Sequence, residues 1–122
     1  DLGYVPEHVK EHIRNVQTLV IEANYDEELL EQDERRPWST KQRIRGRHGH
    51  LSNHATFELL EELSQQNTLE TVYLAHLSKD CNNVRLVHEK FTSLPKNLSI
   101  NVIDPESGIA PAAKQLSPEI RI

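Results

Sequence analysis

Two short apolar runs constrain the fold of this chain more than any other feature, because each is rich in strand-forming residues and each ends beside a polar side chain. The first run covers residues 18–23 and contains Glu22, and the second covers residues 71–77 and contains His76. Runs of this length and composition predict buried β-strands. A third apolar segment, residues 98–103, predicts another strand.

Helical patterns separate these strands. Apolar residues recur every three or four positions in several segments, and proline or hydroxyl residues stand at their starts. The predicted helices cover residues 6–16, an acidic turn at 26–32, a segment from Thr40, a segment capped by Ser52 or Asn53, and residues 84–91. Alternation of helices and strands predicts an α/β fold, with an irregular tail and a last short strand.

The size and composition indicate one soluble domain spanning residues 1–122. The single cysteine, Cys81, excludes an internal disulfide framework and favours a reducing compartment, so we expect a cytoplasmic protein. No apolar run approaches the length of a membrane span. Because the chain begins at Asp1 and contains no methionine, we expect it to be part of a longer protein.

The charge distribution points to a phosphate-bearing partner. The net charge is -5, yet the basic strip, which we define as residues 35–47, holds six basic residues and no acidic one. A cationic segment on an acidic body can recruit phosphate locally, whereas an exposed, solvated loop would give the same pattern. From charge alone both interpretations stay open.

Four polar residues stand where α/β proteins gather functional groups, near strand ends and helix starts. Glu22 and His76 close the first two strands, Asp26 follows the first, and His50 comes after Gly49 and before a helix. Two carboxylates and two histidines so placed form a candidate acid/base or metal constellation. For each residue singly, a hydrogen-bonded structural role is the competing interpretation. His48 and His50 do not begin an H-x-H-x-D-H motif, because Ser52 and Asn53 follow.

Four segments of the chain resemble a known family. These are Leu19–Asp26, Lys41–Ile44, Gly49–Asn53 and Leu74–Ser78. Their order and spacing are similar to the later motifs of metallo-β-lactamase-fold hydrolases, above all the YycJ/WalJ-type branch, with more distant kinship to RNase Z and the cyclic-phosphate phosphodiesterases. The resemblance implies the C-terminal half of a four-layer αββα sandwich.

The resemblance also implies roles for individual residues. Asp1 resembles the aspartate that bridges two divalent metals, zinc or manganese, and His76 resembles the last histidine ligand. Glu22 and His50 resemble the supporting glutamate and the catalytic histidine that acts on the scissile phosphate. Asn24 and Asp26, in the same strand-end motif, are less firmly matched supporting residues.

The substrate implied is a phosphodiester, which favours a nuclease or phosphodiesterase. Because the basic strip leads directly into His50, we expect Arg43, Arg45 and Arg47 to contact substrate phosphates, which arginine binds through paired donors. Trp38 in the strip is expected to anchor a loop, with stacking on a base as the alternative. Cys81 is expected to be an idle buried thiol, and the histidines at 8, 12, 54 and 88 to lie on helix surfaces.

The chain departs from the family pattern in one respect. The family's H-x-H-x-D-H motif and its next histidine lie upstream of the bridging aspartate and do not occur in these residues. Since a catalytic zinc usually keeps three protein ligands, we expect this chain alone to be inactive and to need the upstream half, with a homo-oligomer also possible. A small-molecule metallohydrolase and a non-catalytic binding or assembly fragment remain alternatives.

Overall fold

The computed structural model describes residues 3–66, 68–104 and the backbone of 119–121. Helices and strands alternate through most of this length, which confirms the α/β class. In chain order the elements are α1 (Glu7–Ile13), β1 (Thr18–Glu22), α2 (Glu27–Gln32), α3 (Trp38–Arg45), α4 (Asn53–Ser64), β2 (Thr71–Ala75), α5 (Val84–Phe91), β3 (Ser99–Val102) and β4 (Glu119–Arg121).

The four strands form one parallel sheet in the order β3-β2-β1-β4. Within it, β1 and β2 are paired in a register that sets Ile21 beside Leu74 and Glu22 beside Ala75. Parallel strands end at the same edge of a sheet. Glu22 and His76, the residue after Ala75, are therefore brought to one edge by strand pairing alone.

The main hydrophobic core covers one face of the sheet. Side chains alternate between faces along a strand, so Leu19 and Ile21 of β1 share a face with Val72 and Leu74 of β2, and all four are completely buried. Helices α1, α4 and α5 supply the opposing apolar side chains, which include Ile13, Leu59, Leu60, Leu63, Val87 and Phe91. By the same alternation, Glu22 is directed to the other face.

A smaller apolar cluster lies beyond the carboxyl end of β1. It consists of Tyr25, Leu30 and Cys81, with Leu29 and Ile44 packed against it. This cluster joins α2 and α3 to the loop that follows β2. Because α2 and α3 have few other apolar contacts in the part of the chain described, it is this cluster that fixes their position beside the strand ends.

Three element boundaries differ by two or more residues from the sequence-based prediction. Helix α1 ends at Ile13 rather than residue 16, and Val16 instead enters the core after a turn. Helix α3 begins at Trp38, two residues before Thr40, since Pro37 with φ −61° is already set for helix entry. Strand β2 ends at Ala75, because the next residue, His76, has φ +60° and cannot continue a strand.

Two predicted features of α3 and α4 have opposite outcomes. Ser52 does cap α4, its hydroxyl accepting a hydrogen bond from the Ala55 amide at 3.0 Å. Trp38 does not anchor a loop: 61% of it is exposed, because it lies on the first turn of a helix that buries no residue. The anchoring prediction was therefore wrong.

The described residues form one sheet with its helices, so the second sheet of a four-layer sandwich stays a prediction. Asp1, predicted as a metal ligand, lies outside the described residues. None of the helices that the structure describes has both the length and the apolar character required to cross a membrane.

Candidate metal and acid–base site

Glu22, His50 and His76 converge on a single carboxylate oxygen. Glu22 Oε2 lies 3.1 Å from His50 Nδ1 and 2.9 Å from His76 Nδ1. The two imidazole rings meet edge to face, with their centroids 5.1 Å apart. Since an ionised carboxylate only accepts hydrogen bonds, each ring donates from Nδ1 in this pattern, and a ring that is neutral then keeps the lone pair of Nε2. The three residues predicted from strand ends and the helix start are thus brought together.

Glu22 is held so that its second oxygen faces the histidines. Its Oε1 accepts a hydrogen bond of 2.7 Å from the Leu51 amide, and its backbone carbonyl accepts one of 2.7 Å from the Thr56 hydroxyl. The residue is buried, with 7% of its surface exposed. A buried carboxylate is tolerated where its lone pairs are satisfied, and here three hydrogen-bond contacts to its two oxygens do so.

His50 is placed by a tight turn after α3. Its amide donates to the Ile44 carbonyl at 2.9 Å, which brings the chain back against the end of the helix. The preceding Gly49 lies so close that an added Cβ would be 2.1 Å from the same carbonyl oxygen. Only glycine permits this approach, and it sets the direction in which His50 leaves the turn.

His76 adopts a left-handed backbone conformation, which is uncommon for a residue with a side chain. Asn24 stabilises it from the neighbouring strand end. The Asn24 side-chain amide donates to the His76 carbonyl at 2.7 Å, and the Asn24 carbonyl accepts from the Ser78 amide at 2.7 Å. Asn24 thereby supports the site through His76, whereas Asp26, the other supporting candidate, is occupied as the N-cap of α2.

Both histidines line a cleft of about 240 Å³ beyond the strand ends. The side chain of His76 is 62% exposed and that of His50 is 24% exposed, so an ion or ligand in the cleft can reach both rings. The residues lining this cleft are Asn24, Tyr25, Leu30, Arg36, Ile44, His50, His76, Leu77, Ser78 and Cys81.

Arg36, which lines the cleft, belongs to a group of four charged residues, here called the Asp33–Asp80 network. Its members are Asp33, Arg35, Arg36 and Asp80. Arg36 is hydrogen-bonded to Asp33 through Nη1 and to Asp80 through Nη2 at 3.2 Å. Arg35 Nη2 pairs with Asp80 at 3.1 Å. The Arg35 amide and the Arg36 guanidinium lower the pKa of Asp33 to about 2, so Asp33 is ionised at neutral pH.

Two uncharged groups, the Tyr25 phenol and the Cys81 thiol, also line the cleft. Burial raises the pKa of the Tyr25 phenol, and burial likewise raises the pKa of the Cys81 thiol, against the opposing effect of Arg36. Cys81 is 1% exposed. It is therefore a protonated, enclosed thiol at neutral pH, which agrees with the idle role predicted for it, because the thiolate is the form that binds metal.

The predicted substrate arginines lie along α3 and the turn after it. Arg45 Nη2 is paired with Glu31 at 2.5 Å, and the Arg47 guanidinium lies over the Tyr4 ring at 5.5 Å from its centroid. Within the described residues, Arg43 and Arg47 form no ion pair and are exposed, so both remain available to an anion. Their contact with substrate phosphates stays a prediction.

Sequence reasoning missed Arg36 as a cleft residue. It belonged to the basic strip, but nothing in its spacing separated it from the other five cations, because its position depends on a tertiary contact with Asp80. His48, which was rejected as a ligand, is exposed and takes no part in the cluster. His54 and His88 lie exposed on helices as predicted.

The relatives found by comparison with known proteins are all named exodeoxyribonucleases. Exodeoxyribonuclease YycJ of Bacillus anthracis is 38% identical over 82 residues, which are 67% of this chain and 30% of the relative. Exodeoxyribonuclease WalJ of Streptococcus pneumoniae, in strains D39 and R6, is 38% identical over 88 residues, which are 72% of this chain and 32% of the relative. The match thus covers less than a third of each relative's length. No family model and no solved structure matches the chain.

Proposed function

Because this chain is a homologue of the YycJ/WalJ exodeoxyribonucleases, we propose that it forms part of a metal-dependent nuclease that hydrolyses phosphodiester bonds in DNA. The observation that carries the proposal is the convergence of His50 and His76 on one oxygen of Glu22 at the carboxyl edge of the sheet. Since less than a third of each relative is matched, the activity and substrate of the whole protein are proposals.

The cluster fits a divalent cation by its donor set. Glu22, His50 and His76 each offer a ligand atom, and these atoms lie within 4.8 Å of one another. Imidazole nitrogen and carboxylate oxygen suit zinc and also manganese. We propose that His76 is the ligand, through the Nε2 that its bond to Glu22 leaves free. A metal held there would lower the pKa of a bound water and neutralise charge on a phosphoryl oxygen.

His50 is the proposed acid of the reaction. Glu22 orients the ring through Nδ1, so Nε2 faces away from the carboxylate; once that nitrogen has also taken up a proton, the imidazolium can give it to the leaving oxygen. Carboxylates that hold a histidine in this manner also make its far nitrogen more basic. Glu22 is thus proposed as a positioning residue for both rings, with one serving the metal and the other the substrate.

The proposal requires metal ligands in addition to His76. Catalytic zinc sites use three protein ligands and a water, and a site with two metals needs more. We propose that Asp1 and an upstream half of a metallo-β-lactamase-type sandwich supply them, so that two divalent metals bind in the assembled site. Arg43, Arg45 and Arg47 are proposed to hold the phosphates of the DNA.

Release of nucleotides from linear DNA, compared with closed-circular DNA, tests the function. The protein tested is this chain joined to the part of the Bacillus anthracis relative that it does not cover. We expect degradation of the linear form in manganese or zinc, and loss of activity in chelator. His50→Ala should retain metal by elemental analysis and lose at least ~100-fold in rate, as expected for a lost acid. His76→Ala should lose metal.

His48→Ala is the matched control, since His48 is exposed two residues before His50 and lies outside the cluster. It should keep both metal and rate. Full metal content in the His76 variant would contradict the ligand assignment. A rate that does not increase from mononucleotide esters to longer oligonucleotides would instead support the small-molecule hydrolase, and DNA binding without hydrolysis would support a binding fragment.

A further inference from the structure

The cleft beside the two histidines has an uneven charge. Among the described residues that line it, Arg36 is the one permanent cation and there is no carboxylate. Apart from Arg36 and the two histidines, the residues that line it are apolar or neutral. A negatively charged group that enters this cleft therefore meets the Arg36 guanidinium beside two imidazoles, whose Nδ1 atoms are bound to the Glu22 carboxylate.

Arg36 is held in place before any ligand arrives. Asp33 engages Nη1 and Asp80 engages Nη2, so one carboxylate comes from the loop after α2 and the other from the loop after β2. A guanidinium carries five N–H donors, and these two contacts leave several of them unused. Its side chain is 27% exposed and lines the cleft, so an anion in the cleft can reach this side chain. Because the Arg36 side chain is already held in place, less side-chain conformational entropy is lost when an anion binds to it.

The Asp33–Asp80 network as a whole does not prevent Arg36 from meeting an anion in the cleft. Two arginines face two aspartates, so the network is neutral overall. The positions of its members differ, however. Arg35 is 71% exposed and is absent from the cleft, whereas Arg36 lines it. The cationic end of the network therefore lies on the cleft side, where a phosphate can approach it.

We infer that Arg36 binds a phosphate of the DNA strand in this cleft, beside His50 and His76. The inference rests on the proposed function, from which the DNA substrate comes. It differs from the expected role of Arg43, Arg45 and Arg47, because none of those three lines the cleft. Arginine suits the task since its planar fork can hold two oxygens of one phosphate.

The test measures binding of a fluorescein-labelled single-stranded decanucleotide to the chain, by anisotropy in chelator and across a series of salt concentrations. Each phosphate contact to a single strand contributes about 0.7 to the slope of log affinity against log salt. We expect Arg36→Gln to reduce the slope by about 0.7 and to weaken binding about tenfold at low salt.

Arg35→Gln is the matched control. Arg35 belongs to the same network and contacts the same two aspartates, yet it does not line the cleft. The substitution therefore removes one positive charge from the network without changing the cleft lining. We expect it to leave the slope unchanged. Arg36→Lys keeps the positive charge but loses the planar guanidinium. Its salt slope should match that of the unaltered chain, and its affinity should lie between those of the unaltered chain and Arg36→Gln.

A second measurement needs no variant. In a ¹⁵N-labelled sample, the Nε–H signal of Arg36 should move when the decanucleotide is added, and that of Arg35 should not. Equal slopes for the two glutamine variants, or an Arg36 signal that stays in place while DNA binds, would overturn the inference and leave the proposed function standing. Failure of the unaltered chain to bind the decanucleotide would overturn the DNA substrate itself and the inference with it.

Discussion

Glu22 determines the protonation pattern of the site more directly than either histidine does. The Leu51 amide occupies one of its oxygens, and the two Nδ1 atoms share the other. Each ring is thereby held in the tautomer whose Nε2 has a free lone pair. A single buried carboxylate thus holds both rings, which is the arrangement that the metal role proposed for His76 and the acid role proposed for His50 require.

Glu22→Gln should reverse this pattern. The Leu51 amide needs an acceptor, so the glutamine oxygen takes that side and its NH₂ group faces the two Nδ1 atoms. Both rings must then accept at Nδ1 and carry their proton on Nε2. We expect zinc affinity of the chain, measured by calorimetry, to fall about 10- to 100-fold. Long-range ¹H–¹⁵N spectra should show the tautomer change directly.

Glu58→Gln serves as the comparison for that variant, because Glu58 is an exposed carboxylate that pairs with His54 at 2.7 Å. It should leave zinc affinity and the His50 and His76 signals as they were. Unchanged tautomers in the Glu22 variant would refute the hydrogen-bond pattern described above.

At the scale of elements, the turn between α3 and α4 determines where His50 lies. The turn contains Gly46 and Gly49, and the Gly49 backbone packs directly against the last carbonyls of α3. Helix α4 begins immediately after His50 and Leu51 and is held by the Ser52 cap. His50 is therefore fixed between a helix end and a helix start rather than carried on a free loop.

Gly49→Ala should destabilise the chain and displace His50. The new methyl group would lie 2.1 Å from the Ile44 oxygen and 2.3 Å from the Arg43 oxygen, so the turn must open. We expect the free energy of unfolding in urea to fall by about 1–3 kcal/mol. Gly46→Ala is the control, because its nearest contact would be 3.3 Å from the Gln42 oxygen and its φ of −72° suits alanine. Equal losses in the two variants would contradict this account.

At the scale of the whole molecule, the Asp33–Asp80 network joins the α2–α3 region to the loop that follows β2. Asp33 lies just after α2, and Asp80 lies beyond the last residue of β2. The loop that carries His76 is thus tied to the rest of the fold by charge as well as by Asn24. This connection makes the stability of the molecule depend on the ionisation of Asp33.

Part of the free energy of unfolding should therefore be lost in acid as Asp33 is protonated, and the Asp33→Asn variant should lack this part at every pH. The folded-state pKa of Asp33, about 2, lies below its ordinary value of 3.8, so its contribution is fully present above about pH 5 and is lost as the pH falls through 3.8 toward 2. Urea midpoints at pH 7, 4 and 2.5 should show the chain and the variant drawing closer as the pH falls. Glu34→Gln, an exposed neighbour, is the comparison; a constant gap for the Asp33 variant would contradict the prediction.

Much of the fold and part of the site follow from sequence patterns. Apolar runs identified β1, β2 and β3, and strand-end placement identified Glu22 and His76, because parallel pairing makes those positions neighbours. The shared oxygen of Glu22 and the left-handed backbone of His76 could not be predicted, since both depend on contacts between distant segments. Arg36 was missed for the same reason, its place in the cleft being set by Asp80.

The order of the strands in the sheet has a consequence for how the molecule assembles during synthesis. The inner strand β1 pairs with β2 on one side and with β4, the last element that the structure describes, on the other. The contacts described above among Glu22, His50 and His76 involve residues that are translated before β4. Because domains can begin to fold as they leave the ribosome, the histidine pair can form on a nascent chain whose sheet still has an open border along β1.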